Sequence, residues 1–283
     1  MIVAGVSPAR RALTSFGLYL AVAAFVIFAL FPLYWTFKIS ITPQSLLYSE
    51  GVALFPSGVT LENYVRVLRA TDFPRYFVNS VIVSVATAVL VTLVAAGSGY
   101  SISRFRFAGR NGVSFLLLAT QIFPLVMVIP PIYRMMGQMG LTNSLGGLVL
   151  IYTAFNIAFA TFLMQSFFDA IPVELEESAM IDGCTRLQAL RKVILPLTLP
   201  GLGATLGFVF TAAWSELLFA LMLINNETSK TFAVGLLSFV GKFAVDWGQM
   251  MAASMMALVP VCVFFAMLQR YLVAGLTAGA VKG

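Results

Sequence analysis

Six runs of apolar residues, each long enough to cross a lipid bilayer as a helix, constrain this chain more than any other feature. They fall at residues 16–36, 77–97, 113–133, 145–168, 201–225 and 250–272, and a hydrocarbon core takes about 20 residues of α-helix. Lipid offers the backbone no hydrogen-bond partners, so spans must be helices or closed barrels, and runs of this length select helices. The expected fold is an all-α membrane protein with six transmembrane helices, one domain at 16–272 between a segment at 1–15 and a tail at 273–283. Composition agrees: 60% of residues are hydrophobic and 10% charged, where a soluble domain has about a quarter charged. The first run follows Arg10 and Arg11 but ends in Phe31-Pro-Leu-Tyr-Trp35 rather than small residues, so it reads as an uncleaved helix and not a signal peptide.

The net charge of +6 sits mostly at the ends of the apolar runs, where topology needs it, and gives no sign of a nucleic-acid partner. Arg10 and Arg11, Arg104, Arg106 and Arg110, and Arg186, Arg191 and Lys192 mark one side of the membrane. Arg134, Lys230 and Lys242 lie on the other, together with Lys38, Arg66, Arg69 and Arg75 in the loop at 37–76, so the asymmetry is modest. It puts both termini and the polar loop at 169–199 in the cytoplasm. A helical pattern at Leu61-Glu-Asn-Tyr-Val-Arg-Val-Leu68 suggests a cap within loop 37–76, with a plain tether as the alternative. The chain has no histidine, which removes His-based triads, His-ligated zinc and imidazole relays. Cys184 and Cys262 lack metal-ligand spacing. Met250, Met251, Met255 and Met256 are better explained as adaptable packing than as a soft-metal site.

The loop at 169–199 is a polar anomaly between two apolar runs. Pro172 suits the first turn of a helix, and Glu174, Glu176 and Glu177 follow near its positive dipole end. Ile171, Leu175 and Ala179 share one face at i, i+4 spacing. Gly183 fits the left-handed position that ends a helix, and Thr185 with Gln188 resembles a capping box opening the next. That second helix places Leu187, Leu190 and Ile194 on one side, until Pro196 and Pro200 stop it.

The order Glu177-Ser178-Ala179, three residues, Gly183, nine residues, Val193, one residue, Leu195-Pro196 resembles the signature of permease subunits of binding-protein-dependent ABC importers. Ser178 stands where the family has alanine and Val193 where it has isoleucine. Tyr76-Phe-Val-Asn-Ser80, Ala213-Trp-Ser-Glu-Leu-Leu-Phe-Ala-Leu221 and the tail Gly275-Leu-Thr-Ala-Gly-Ala-Val-Lys-Gly283 resemble the carbohydrate branch, which has Asn in place of Ser215. The resemblance implies a subunit of the cytoplasmic (inner) membrane that binds no cofactor, is no enzyme, and works with a second homologous permease, two ATP-binding subunits carrying ATP-Mg, an extracytoplasmic solute-binding protein and a sugar. No ATP-binding Gly-x-x-x-x-Gly-Lys-Ser/Thr loop occurs in the chain itself. It implies that Glu177 pairs with an arginine of the ATPase, with Ser178, Ala179, Asp182, Gly183, Val193, Leu195 and Pro196 completing the coupling hairpin. It also implies that Gly275, Gly279, Lys282 and Gly283 reach the ATPase interface.

Polar residues inside a bilayer are costly and therefore candidates for the substrate path. These are Gln121, Asn156, Ser215 and Glu216, with Phe123, Tyr152 and Trp214 as stacking surfaces. Helix–helix hydrogen bonding, or an aromatic facing lipid, is the open alternative for each. Pro124, Pro130 and Pro131 are expected to disrupt the third span. An importer of a polyol, a sugar phosphate or another solute remains a rival. A secondary transporter would call for inverted repeats and paired membrane acids, and the chain shows neither beyond Glu216.

Overall fold

The apolar runs fold largely as helices, interrupted at Pro124 in the third run and at Ser215 and Glu216 in the fifth. The computed structural model describes the backbone of residues 8–49 and 51–280, and the side chains of 14–49 and 51–269. In chain order the helices are α1 (Pro8–Ser40), α2 (Gln44–Leu47), α3 (Glu62–Ala70), α4 (Phe73–Arg104), α5 (Arg110–Ile122), α6 (Leu125–Gln138) and α7 (Leu145–Asp169). They continue with α8 (Val173–Ile181), α9 (Arg186–Ala189), α10 (Leu195–Leu197), α11 (Leu199–Trp214), α12 (Leu218–Leu223), α13 (Phe232–Leu236) and α14 (Trp247–Ala280). Among the described residues the β structure is one isolated bridge, between Val240 and Val245.

Among the described residues four helices are long and apolar enough to cross a membrane, at Thr14–Ser40, Phe73–Arg104, Leu145–Asp169 and Trp247–Gln269. Two bent pairs bring the number to six if each is one span. The third expected span is therefore not one helix: α5 and α6 meet at 102°. Pro124 has no N–H to donate, and Phe123 before it takes extended backbone (ψ 128°), as a residue preceding proline prefers. Pro130 and Pro131, expected to disrupt the helix as well, are carried inside α6. The fifth run is likewise divided. It ends as α11 at Trp214, breaks over Ser215 and Glu216, and resumes as α12, while its amino end meets the preceding helical segment at 72°.

The chain divides into two units, one made of the residues up to Thr71 with Phe239–Met256, the other of Asp72–Ser238 with the residues from Ala257 on. In the first, Phe16, Tyr19, Phe25 and Phe28 of α1 are exposed, a surface suited to hydrocarbon rather than water. The helix expected near residue 61 is α3, fastened by Asn63, whose Nδ2 donates to the carbonyls of Ser40 (2.9 Å) and Thr42 (3.0 Å).

In the second unit α4 packs along α7. Its buried stripe runs through Tyr76, Ser80, Val83, Thr87, Val91, Ala95 and Gly99 at i+3 and i+4 steps. Gly99 lets the backbones approach closely: a Cβ there would lie 2.8 Å from the Gln165 nitrogen and 3.0 Å from the Thr161 carbonyl. The amino-terminal end of α4 explains the Tyr76–Ser80 motif. Tyr76 donates to Glu227 (2.5 Å), Asn79 to the carbonyls of Thr228 (3.0 Å) and Lys230 (2.8 Å), and Ser80 accepts from the Phe232 nitrogen (2.8 Å). Three motif residues thus fasten one segment, 227–232. Met136, Leu148, Ile151, Tyr152, Phe219, Leu223 and Val234 form the neighbouring core.

Candidate coupling hairpin and path residues

Gly183 ends α8 with φ +89°, backbone that residues with a Cβ rarely adopt. Its N–H bonds the Met180 carbonyl (3.1 Å) and the Cys184 N–H reaches back to Ala179 (3.0 Å), the paired bonds of a Schellman end. Two residues on, Thr185 accepts from the Gln188 nitrogen (3.3 Å) and Gln188 accepts from the Thr185 nitrogen (2.8 Å), a capping box. Both ends of the turn are therefore satisfied locally, as their residue types foretell. Pro172 is the residue before α8 and not within its first turn. Pro196 does not stop the second helix. The chain widens into a π-helical turn at Leu190–Ile194, where Leu195 donates to Leu190, and passes through Pro196 into α10. A proline has no N–H for an ordinary i→i−4 bond, and a widened turn is one way around that.

The buried face of α8 differs from the expected one. Leu175 is 43% exposed, and the covered residues are Glu176 and Ala179, spaced i, i+3. On the second helix Ile194 is buried while Leu187 is exposed. The chain itself covers Ala179, so its small side chain serves internal packing. Glu177, Ser178, Asp182 and Gly183 are exposed, Val193 and Leu195 half-buried and Pro196 exposed.

Glu176 was not singled out by its position in the sequence, yet it is the best-buried acid of the hairpin, its side chain 3% exposed. Its Oε1 accepts from the Tyr100 hydroxyl (2.5 Å) and lies 3.7 Å from Arg186 Nε. Its Oε2 lies 3.3 Å from Nε of Arg104, an ion pair without hydrogen-bond alignment, and the Arg104 side chain is 6% exposed. Arg104 Nη2 donates to the carbonyls of Phe168 (2.9 Å) and Ile171 (2.8 Å) at the end of α7. The Arg186 guanidinium sits 4.9 Å over the Phe105 ring. Removing one partner of such a buried pair strands the other charge, at about 3–5 kcal/mol. The available signal was a second acid beside Glu177, three residues from the Ala179 that shares its face.

The path candidates separate into open and packed residues. Gln121 is exposed, its Nε2 3.5 Å from the Phe155 carbonyl, and Phe123 and Ser215 are exposed too. Ser215 donates to the Thr211 carbonyl and Asn156 to the Tyr152 carbonyl, bonds within their own helices. Trp214 is 4% exposed, packed against Phe77, Phe210 and Phe232 at centroid distances of 5.6, 5.7 and 4.7 Å. In this conformation it is a core residue, neither a sugar platform nor a belt residue. Tyr152 is 1% exposed, its hydroxyl directed to the Glu216 carboxylate. Glu216 accepts from the nitrogens of Phe219 (2.9 Å) and Ala220 (3.2 Å), so its charge meets the positive end of α12. Gly275 and Gly279 fall on the last turns of α14, whose side chains lie outside the described residues, as do Lys282 and Gly283 altogether. No cluster of His, Cys, Asp or Glu among the described residues is placed to hold a metal.

Long spans, two bent pairs and a doubly capped polar hairpin define a multi-pass helical membrane subunit. The chain belongs to the family of binding-protein-dependent transport system inner membrane components, whose model matches residues 88–278. It is a permease subunit, a transport component and not an enzyme. It is 39% identical to the diacetylchitobiose uptake system permease protein DasC of Streptomyces coelicolor, over 93% of this chain and 96% of that one. It is 34% identical to the sulfoquinovosyl glycerol transport system permease protein SmoH of Agrobacterium fabrum, over 94% and 93%. It is 33% identical to the trehalose/maltose transport system permease protein MalG of Thermococcus litoralis, over 91% and 93%. Among solved structures, a bacterial ABC transporter involved in the import of the acidic polysaccharide alginate matches with a TM-score of 0.77 at 24% identity, over 95% of this chain and 99% of that one. At that identity the likeness is one of fold.

Proposed function

We propose that this chain lines the membrane path of an ATP-driven importer for a sugar, whether a mono-, di- or oligosaccharide or a derivative. The sugar class is supported by relatives named for diacetylchitobiose, trehalose/maltose and sulfoquinovosyl glycerol uptake. In this reading the hairpin and both termini lie in the cytoplasm, and loop 37–76 faces the outside. The observation that carries the coupling role is the exposed edge of Glu177, Ser178, Asp182 and Gly183 on a hairpin whose ends are both capped. A rigid polar edge is what a soluble ATPase needs in order to push on membrane helices. Glu177 then pairs with an arginine of that ATPase. The working complex holds a second homologous permease, two ATP-binding subunits with ATP-Mg and an extracytoplasmic solute-binding protein. The open residues Gln121, Phe123 and Ser215 line the path, and Tyr152, Asn156, Trp214 and Glu216 shape it from behind.

Purification in mild detergent followed by sugar uptake into vesicles tests this. An ATPase chain copurifies and uptake requires ATP. Uptake that persists without ATP and collapses with the proton gradient overturns the reading in favour of a secondary transporter.

A further inference from the structure

We infer that Glu176 and Arg104 form a strut that fixes the angle between the hairpin and the α4–α7 pair, so that force arriving on the hairpin turns the helices instead of bending the link. The inference rests on the coupling role proposed above and adds positioning residues to it. The link between α7 and α8 is three residues long, Ala170 to Pro172, and by itself it is a hinge. Arg104, at the end of α4, spans that hinge. Its Nη2 holds the carbonyls of Phe168, on the near side, and of Ile171, within the link, while its Nε faces Glu176 on the far side at 3.3 Å.

The same carboxylate takes the Tyr100 hydroxyl, one turn earlier on α4, and faces Arg186 at the start of α9. The acid and Arg104 together therefore tie four elements: the last turns of α4, the end of α7, α8 and α9. The rings of Phe105 and Phe168 meet the Tyr100 ring edge-on at 5.8 and 5.5 Å and close the node from the sides. Chain continuity carries motion from the hairpin into α7 and α11. The strut adds α4, which is remote in sequence. Glu177, one residue on, points outward and stays available for a partner.

The test measures rigidity directly and needs no knowledge of the sugar. In the full complex, with Cys184 and Cys262 replaced by serine, spin labels are attached at Ile181→Cys on α8 and Phe107→Cys beyond α4. Both sites are exposed. Distances are recorded without nucleotide and with ATP and vanadate trapped in the ATPase. The wild-type pair gives a narrow distance that stays the same in both states, and Glu174→Gln, an exposed control, behaves alike. Glu176→Gln and Arg104→Gln each broaden the distribution about twofold or more and let it shift on trapping, since each strands one partner of a buried pair. The double variant broadens the distribution by less than the sum of the two singles, as residues coupled through a shared contact require.

A wild-type distance that shifts on trapping, or variants that keep it narrow, overturns the strut. If Glu176→Gln does not accumulate, Tyr100→Phe removes one hydrogen bond and leaves the charges, and an unbroadened distance in that variant also counts against the strut. If instead no ATPase binds the wild-type chain, the coupling role has failed and not the strut alone.

Discussion

Glu176 and Glu177 are adjacent, and consecutive side chains on a helix point about 100° apart. That angle sends one carboxylate into a buried node with Arg104 and Tyr100 and leaves the other exposed. Gly183 shows the same dependence on a single position. With φ at +89°, Gly183→Val forces a branched residue into left-handed backbone at roughly 1–2 kcal/mol, and the hairpin turn deforms. The variant inserts in the membrane but loses ATPase copurification and uptake, and full transport would count against the coupling role. Trp214 makes the opposite case. Its burial against Phe77, Phe210 and Phe232 means that Trp214→Ala lowers stability by about 3 kcal/mol or more. Thermal unfolding in detergent reads that loss, and apparent sugar affinity measured below the lowered melting temperature stays unchanged.

Between α4 and α7 the seam is set by a small residue. Gly99→Ala places a methyl group 2.8 Å from the Gln165 nitrogen, and because the obstruction is backbone the helices must separate. Overpacking of this kind costs about 1–3 kcal/mol, visible as a lower melting temperature of the purified chain. The segment at 227–232 is held by hydrogen bonds with α4, one of them to a carboxylate. Glu227 has its carboxyl pulled below the usual carboxylate value, first by the hydrogen bond from Lys230 and then by that from Tyr76. A depressed value means that the released segment binds more protons than the docked one. The carboxylate's share of the docking is therefore complete above the ordinary carboxylate value and is lost as pH falls through the lowered one, while the Asn79 and Ser80 bonds remain. Hydrogen exchange at 227–232 should quicken over that acidic window, and Glu227→Gln should abolish the dependence. Because Glu227 is largely exposed, the effect is small and shrinks in salt.

For the whole molecule the tail offers the clearest experiment. α14 runs as helix to Ala280, past the apolar run at 250–272. Deleting residues from 273 on leaves the spans inserted and reduces the ATPase recovered with the chain, and wild-type recovery would remove the tail from the interface. The apolar runs alone determined that this is a helical membrane protein with up to six spans. Pro124, Gly183, Thr185 and Gln188 foretold local breaks and caps, because these depend on backbone chemistry within a few residues. The division of the fifth run at Ser215, the passage of the chain through Pro196 and the packing of Trp214 were not legible in that way. Nor was the pairing of Glu176 with Arg104, which stands 72 residues earlier in the chain. Hydropathy records how much apolar surface a segment must cover, whereas the partner that covers it, or neutralises a buried charge, comes from helices distant in sequence and is chosen only when they pack.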